Sequence, residues 1–379
     1  SGMFLYASIF NGNISGWNVS GITDMNNMFH YASNFNQDIN SWDTSSVTNM
    51  TYMFAEADSF NKSINNWNVS NVLDMSFMFR NNDDFDQDLD DWDVSNVVTL
   101  ENTFYGTQNF NGNISSWNTS NVTTMYGMFW GAESFNHDLG SWDVSNVDDM
   151  RYMFLGAQNF NHNLSNWNIS KITSLEGIFL NAASFNGNIS SWDISNVTNM
   201  YQTFSGATNF NQDISSWDVS KVTNMRFLFF FALDFNQNIS SWDVSNVTLM
   251  SNMFKNATSF NQDISSWKVS NVTTMSYMFE GAAIFNQDIG SWDVSNVTDI
   301  YRLFTDAVNF NQDISSWDIS NINSFRFVFE NAKSFNQDLS SWNVSHITEF
   351  RDMLDNSGLS VQNYDNLLIG WNQLNSLSS

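Results

Sequence analysis

The chain has 379 residues with neither proline nor cysteine, and 39 acidic against 12 basic residues leave a net charge of −27. No disulfide or thiolate chemistry is available, and the charge argues against nucleic acid and anionic membranes, which select a basic face. It favours cations, basic partners or solubility in salt; aromatics at 16% speak against disorder, and no apolar run approaches the ~20 residues of a membrane span.

The opening stretch "SGMFLYASIF" enters in mid-repeat, which predicts a fragment cut from a longer protein. From Trp17 to Trp342 a tryptophan returns every 25 residues without insertion. A fixed period of this size marks a solenoid and lies in the leucine-rich-repeat range. With Trp as position 1, apolar residues recur at positions 3, 6, 9, 12, 13, 16, 19 and 23, and Phe fills position 19 from Phe10 to Phe335. Positions 1 and 3 alternate with polar residues, which predicts a short strand. Positions 9, 12, 13 and 16 have helical spacing. Thr at position 7 suits an N-cap, and Gly or Asn at position 15 suits a helix stop.

The expected fold is therefore an α/β repeat: a leucine-rich-repeat-like right-handed solenoid of about fourteen units, each a short strand plus a short helix. Strands ~4.8 Å apart give a rod or shallow arc of roughly 65–70 Å. Ser at position 4 is expected to bond local backbone, and stacked Asn at position 20 to satisfy the loops. The solenoid should occupy residues 1–356, with a capping segment at 357–379. There Ser360 can start a helix carrying Tyr364, Leu367, Leu368 and Trp371 on one side.

The repeats "FNQDISSWDVSKVTNM" (Phe210–Met225) and "FNQDISSWKVSNVTTM" (Phe260–Met275) resemble those of the BspA-like leucine-rich-repeat surface proteins of bacteria, which read F-N-x-D-I-x-x-W-D-V-S-x-V-T-x-M-x-x-M-F. The resemblance covers nearly the whole chain, and the tail Ser357–Leu374 is similar to the segment after the last repeat in that family. It implies a secreted or surface-anchored protein that adheres to host or matrix components or makes cell–cell contacts. The general pattern L-x-x-L-x-L-x-x-N is only partly met, because Val297 stands where Asn is expected after Ile289.

Catalysis should appear as a singular break in the columns, and none stands out. Pairs such as Asp38 and Asp43 recur in too many repeats to form one acid–base site, so the chain reads as non-enzymatic. His137 and His162 share a phase in adjacent repeats; they either bind a transition metal or face solvent like the Gln they replace. Asp and Asn interchange at positions 22 and 2, which spaces like charges that would repel by ~0.8 kcal/mol in water. Calcium is the one cofactor suggested, by the stretch "DDFDQDLDDWD" and its Asp84, Asp86, Asp88, Asp91 and Asp93. Asn-x-Ser/Thr sequons, as at Asn118, follow from the repeat itself.

At position 14, Tyr105, Trp130, Leu155, Leu180 and Phe230 interrupt a mostly polar column. They form either a partner surface or loose outer packing. The expected function is an extracellular or cell-surface module for adhesion, with a protein or glycan ligand on a cell or matrix surface. The alternative is a spacer or fibre subunit that binds itself. Neither nucleic acid nor membrane insertion is expected, and one Thr per repeat is too few for an ice-binding face.

Overall fold

The apolar columns close into an aromatic interior. Phe29, Phe54, Phe79 and Phe104 at position 13 and Phe35, Phe60, Phe85 and Phe110 at position 19 are wholly buried. Within a repeat the two rings stack face to face (Phe29–Phe35 4.0 Å, Phe229–Phe235 3.8 Å). Between repeats within each half, rings meet their equivalents, as in Phe29–Phe54 at 5.4 Å and Trp42–Trp67 at 6.3 Å. Such pairs add ~0.5–1.5 kcal/mol each beyond burial, and a lone repeat could make only the internal one. The computed structural model describes residues 2–377, which fall into two compact halves, Ser1–Asn196 and Val197–Ser379.

The repeats contain neither the expected strand at positions 1–3 nor the expected helix at positions 9–16. Among the described residues the one α-helix is α1, Val361–Leu377, beyond the repeats. Parallel pairing sits instead at position 8, from Asp24↔Asn49 to Thr124↔Asp149 in the first half and from Asn199↔Asn224 to Thr274↔Asp299 in the second. Positions 9–16 then fold as successive turns. Met28 N–H closes one turn on the Met25 carbonyl (3.1 Å), and Ala32 N–H closes another on Phe29 (2.9 Å). The third residue of each has positive φ (Asn27 54°, Tyr31 58°), the signature of a type II turn. The intervening N–H groups reach the next repeat: Met25 to Asn49, Asn27 to Thr51, Phe29 to Met53 and Tyr31 to Ala55. Left-handed residues at positions 11 and 15 prevent a run of i→i+4 bonds. Turns closed over three residues still send positions 9, 12, 13 and 16 inward, which is why the spacing imitates a helix.

Positions 1–3 are extended backbone between turns: Trp42 N–H bonds Ile39, and Val47 N–H bonds Thr44. Here side chains link the repeats. Trp42 Nε1 donates to the Ile14 carbonyl (3.2 Å) and Trp67 Nε1 to Ile39 (3.0 Å). The position 20 Asn forms the expected ladder, as an acceptor: Asn261 Oδ1 takes Asn286 N–H (2.9 Å) and Gln287 Nε2 (2.8 Å). Thr at position 7 is no helix cap; Thr248 Oγ1 and N–H both donate to the Thr223 carbonyl of the preceding repeat. The Ser at position 4 bonds the position 2 side chain rather than backbone. Asp43 Oδ1 accepts Ser45 N–H and Oγ, an Asx turn that Asn68 makes equally well with Ser70. That equivalence explains why Asp and Asn interchange in this column.

Helix α1 begins where Ser360 Oγ accepts Asn363 N–H (3.2 Å). It repeats the bonds that a further repeat would make. Trp371 Nε1 donates to the Leu339 carbonyl (3.1 Å), and Asn363 Nδ2 to the Asn336 carbonyl (2.8 Å). Of the side chains expected to share one side of α1, Leu367 is buried and Tyr364 and Leu368 are exposed.

Candidate interaction surface

The turns aim positions 10, 11, 14 and 15 away from the aromatic interior. All six arginines stand at positions 10, 11 or 14, and nine of the ten tyrosines at 10, 11, 14 or 15; Tyr364 lies on α1. Position 11 needs a left-handed residue, yet it carries Tyr52, Phe77, Tyr152, Phe227, Tyr277, Arg302 and Phe327, with φ of 55–61°. For residues with a Cβ this conformation costs ~1–2 kcal/mol. Gly127 and Gly177 occupy the same position without that cost.

In the second half this face is a lattice of rings and cations. Arg302 lies over Phe327 (4.5 Å), Lys255 over Tyr277 (4.5 Å) and Arg326 over Tyr301 (5.4 Å). Lys255 pairs with Glu280 (2.9 Å), and Arg302 lies 3.7 Å from both Glu280 and Glu330. Tyr277 and Tyr301 meet edge to face at 5.0 Å. Burial, then the neighbouring Tyr301, pushes the Tyr277 hydroxyl above the usual phenol range.

In the first half the face is aromatic with an acidic border. Tyr105 contacts Trp130 (5.0 Å), which contacts Tyr152 (5.5 Å). Arg80 lies over Tyr105 (5.3 Å). Arg151 lies over Tyr126 (5.5 Å) and pairs with Asp149 (2.8 Å).

The structure thus brings together part of the position 14 stripe. Tyr105 and Trp130 touch, and Leu155 and Leu180 continue the column, all of them half-buried. Phe230 belongs to the other half, against Phe227 (5.5 Å) and Phe231 (4.6 Å). Positions 10 and 11 were missed. Their signal was present in the sequence as a division of aromatics: Phe and Trp dominate the interior columns, whereas Tyr and Arg keep to these four.

The aspartates considered for calcium are spread along an exposed edge. Asp86 Oδ1 accepts Asn111 N–H and Asp88 Oδ1 accepts Asn113 N–H, both at 2.8 Å. Asp91 Oδ2 accepts Asn65 Nδ2 (2.8 Å) and Asp93 Oδ1 accepts Ser95 N–H (3.0 Å). Asp84 is held through its backbone N–H, bonded to Asp58. Among the described residues no three His, Asp or Glu side chains converge as a metal site. His137 and His162 each place Nε2 on a backbone carbonyl of the preceding repeat, Asn111 (2.7 Å) and Asn136 (2.9 Å), as Gln does in that column.

The family described as "Mycoplasma protein of unknown function, DUF285" matches residues 1–92, 74–192, 173–283 and 250–367. The chain belongs to this family. No curated protein matches the DUF285 chain. Among solved structures it is similar to a leucine-rich repeat protein from Eubacterium ventriosum at 14% identity, covering 73% of this chain and 84% of that one with a TM-score of 0.35. It is also similar to TLR13 in a complex with ssRNA13 at 11% identity, over 89% of this chain and 46% of that one, with a TM-score of 0.26. No helix among the described residues is long and apolar enough to cross a membrane.

Proposed function

We propose that this DUF285 chain is a non-enzymatic interaction module whose turn face binds another protein at a cell or matrix surface. The carrying observation is the occupancy of position 11. Large rings and Arg302 hold a left-handed backbone that Gly would hold without strain, and such strain collects where a side chain has a task beyond folding. Tyr and Arg are also the residues enriched at protein interfaces. The resemblance to BspA-like surface proteins supports a location outside the cell. We read the stacked repeats as a solenoid of the leucine-rich-repeat kind and α1 as its cap, because Trp371 and Asn363 supply the bonds of a missing repeat.

An array of matrix proteins and glycans, probed with wild type and with Tyr301→Ala/Phe327→Ala, tests the reading. Protein spots should bind wild type and lose the variant, while Asp313→Asn on the opposite edge binds as wild type does. Retention by the ring variant would reject the turn face. Concentration-dependent oligomers in sedimentation, dissolved by the same ring variant, would favour the spacer or fibre subunit instead.

A further inference from the structure

The first half contains a cavity on the turn face that the aromatic stripe alone does not explain. Its volume is about 500 Å³, and Tyr105 and Trp130 line it together with Glu56, Asp58, Asp83 and Glu133. The opening has a local cause. Position 15 is Gly106 and then Gly131 here, as it is Gly156, Gly206 and Gly281 elsewhere, and it lacks the side chain that Tyr31, Phe231 or Asp306 places there. Both glycines have left-handed φ (69° and 72°), and a Cβ on Gly106 would lie 2.1 Å from Asn81 Oδ1. The missing side chains leave space above the rings. A volume of this size falls in the range of ligand sites and far exceeds the ~30 Å³ of one water.

The charge in the cavity is unbalanced. Among the described residues, no ion pair includes Glu56, Asp58, Asp83 or Glu133. Glu56 is steered by Asn81 Nδ2 (2.7 Å), a neutral donor. Burial on the protein side, with Glu56, Asp83 and Asp84 nearby, pushes the Asp58 carboxyl above its ordinary range. Burial also raises Asp83, beside Asp84 and Glu56. Carboxylates that repel one another beside ring faces make a place where a cation gains twice, from the charges and from the rings. The protein already seats one guanidinium in this way, Arg80 over Tyr105 at 5.3 Å.

We propose that this cavity receives an arginine or lysine side chain presented by a basic protein partner, with Trp130 and Tyr105 as its aromatic wall and Asp58, Asp83 and Glu133 as its counter-charges. The proposal rests on the turn face being a protein-binding surface and names the chemistry that one part of it selects. A metal ion is the poorer occupant, since among the described residues no three carboxylates converge on one point and a metal has no use for the rings. An anionic or purely apolar ligand would meet four carboxylates.

The test uses three peptides: acetyl-(Gly-Arg)3-amide, its lysine counterpart, and the citrulline counterpart, which keeps the shape of arginine without its charge. Calorimetric titration of the whole chain should show the arginine and lysine peptides binding about tenfold or more tighter than the citrulline peptide, a gap of ~1.4 kcal/mol. Asp58→Asn/Asp83→Asn and, separately, Trp130→Ala should each remove most of that gap. Asp243→Asn/Asp293→Asn deletes the same charge from the Asx-turn edge, where Asn occurs naturally in the column, and should leave the gap intact. Equal losses in the two double variants would mean that the peptides sense only the net charge, and the cavity would carry no site. Equal binding of all three peptides would overturn the proposal as well. Melting curves of each variant separate lost binding from lost fold. If the cavity fails these tests while Tyr301→Ala/Phe327→Ala still abolishes array binding, the turn face stands and only its cationic subsite falls.

Discussion

The two sides of each repeat differ in how closely the repeats agree. Along the Asx side, positions 20 to 5, Asn, Trp and Ser recur almost unchanged from repeat to repeat. On the turn face, position 10 alone runs through Asn26, Thr51, Ser76, Glu101, Tyr126 and Arg151. The hydrogen bonds between repeats explain the contrast. On the turn face backbone meets backbone, as Asn27 N–H meets the Thr51 carbonyl (3.0 Å), so these links require no particular side chain. On the Asx side the link is the side chain itself, as with Trp242 Nε1 on Ile214 (3.1 Å) or Asn261 Oδ1 on Asn286. A change there disturbs two repeats at once. A fold divided in this way can vary one face freely while keeping the other fixed.

The sharpest way to break this comparison is Trp242→Ala. It removes a buried indole, its bond to Ile214 and its stack on Trp267 at 6.5 Å. A loss of ~3–5 kcal/mol is expected in chemical denaturation. Tyr277→Gly on the turn face should cost under ~1 kcal/mol, because the left-handed strain of a residue with a Cβ at φ 61° is relieved as the ring contacts are lost. Equal costs would mean that both faces hold the stack. Asn261→Ala comes next. Two donors, Asn286 N–H and Gln287 Nε2, lose their shared acceptor, and ~1–3 kcal/mol should disappear. Gly131→Ala probes backbone alone: its Cβ would meet Gly106 Cα at an unstrained 3.5 Å, so only the φ of 72° is penalised, by ~1 kcal/mol.

Smaller effects follow from titration, with opposite signs on the two sides. The Ser145 and Ser245 hydroxyls, then their N–H groups, hold Asp143 and Asp243 below the usual carboxylate range. Their stabilisation is present above the ordinary value near 3.8 and is lost as pH falls through the lower folded value. Asp58 and Asp83 are raised, so their ionised forms weaken the fold at neutral pH, and that penalty fades as pH falls through the raised values. Asp58→Asn/Asp83→Asn should therefore melt above wild type at pH 7, with the advantage gone near pH 3–4. Asp143→Asn/Asp243→Asn should melt slightly below wild type at pH 7 and converge with it only below that range. Melting curves between pH 3 and 7 check both slopes; slopes of the same sign would erase the distinction. Calcium gives the smallest expected effect. Asp88 and Asp93 already accept backbone N–H groups, so millimolar calcium should leave the melting temperature unchanged. A rise abolished by Asp88→Asn/Asp93→Asn would place a calcium site there.

The sequence by itself determined the period, the inward columns of Trp42, Phe29 and Phe35, the ladder of Asn such as Asn261, and the helix that begins after Ser360. Each of these follows from residue type recurring at a fixed spacing, and burial of large apolar groups leaves few alternatives. The spacing did not distinguish a helix from successive turns, since both bring residues three and four apart to one side. That choice was made by the neighbouring repeat, whose carbonyls at Asn49, Thr51 and Met53 take the N–H groups that a helix would have kept. Tertiary structure likewise decided that parallel pairing falls at position 8 rather than beside Trp. It also gathered Glu56, Asp83, Tyr105 and Trp130 into one cavity from four successive repeats. Residues about 25 apart become neighbours only when the repeats stack, and no local pattern in the chain records which side chains the stacking will bring together.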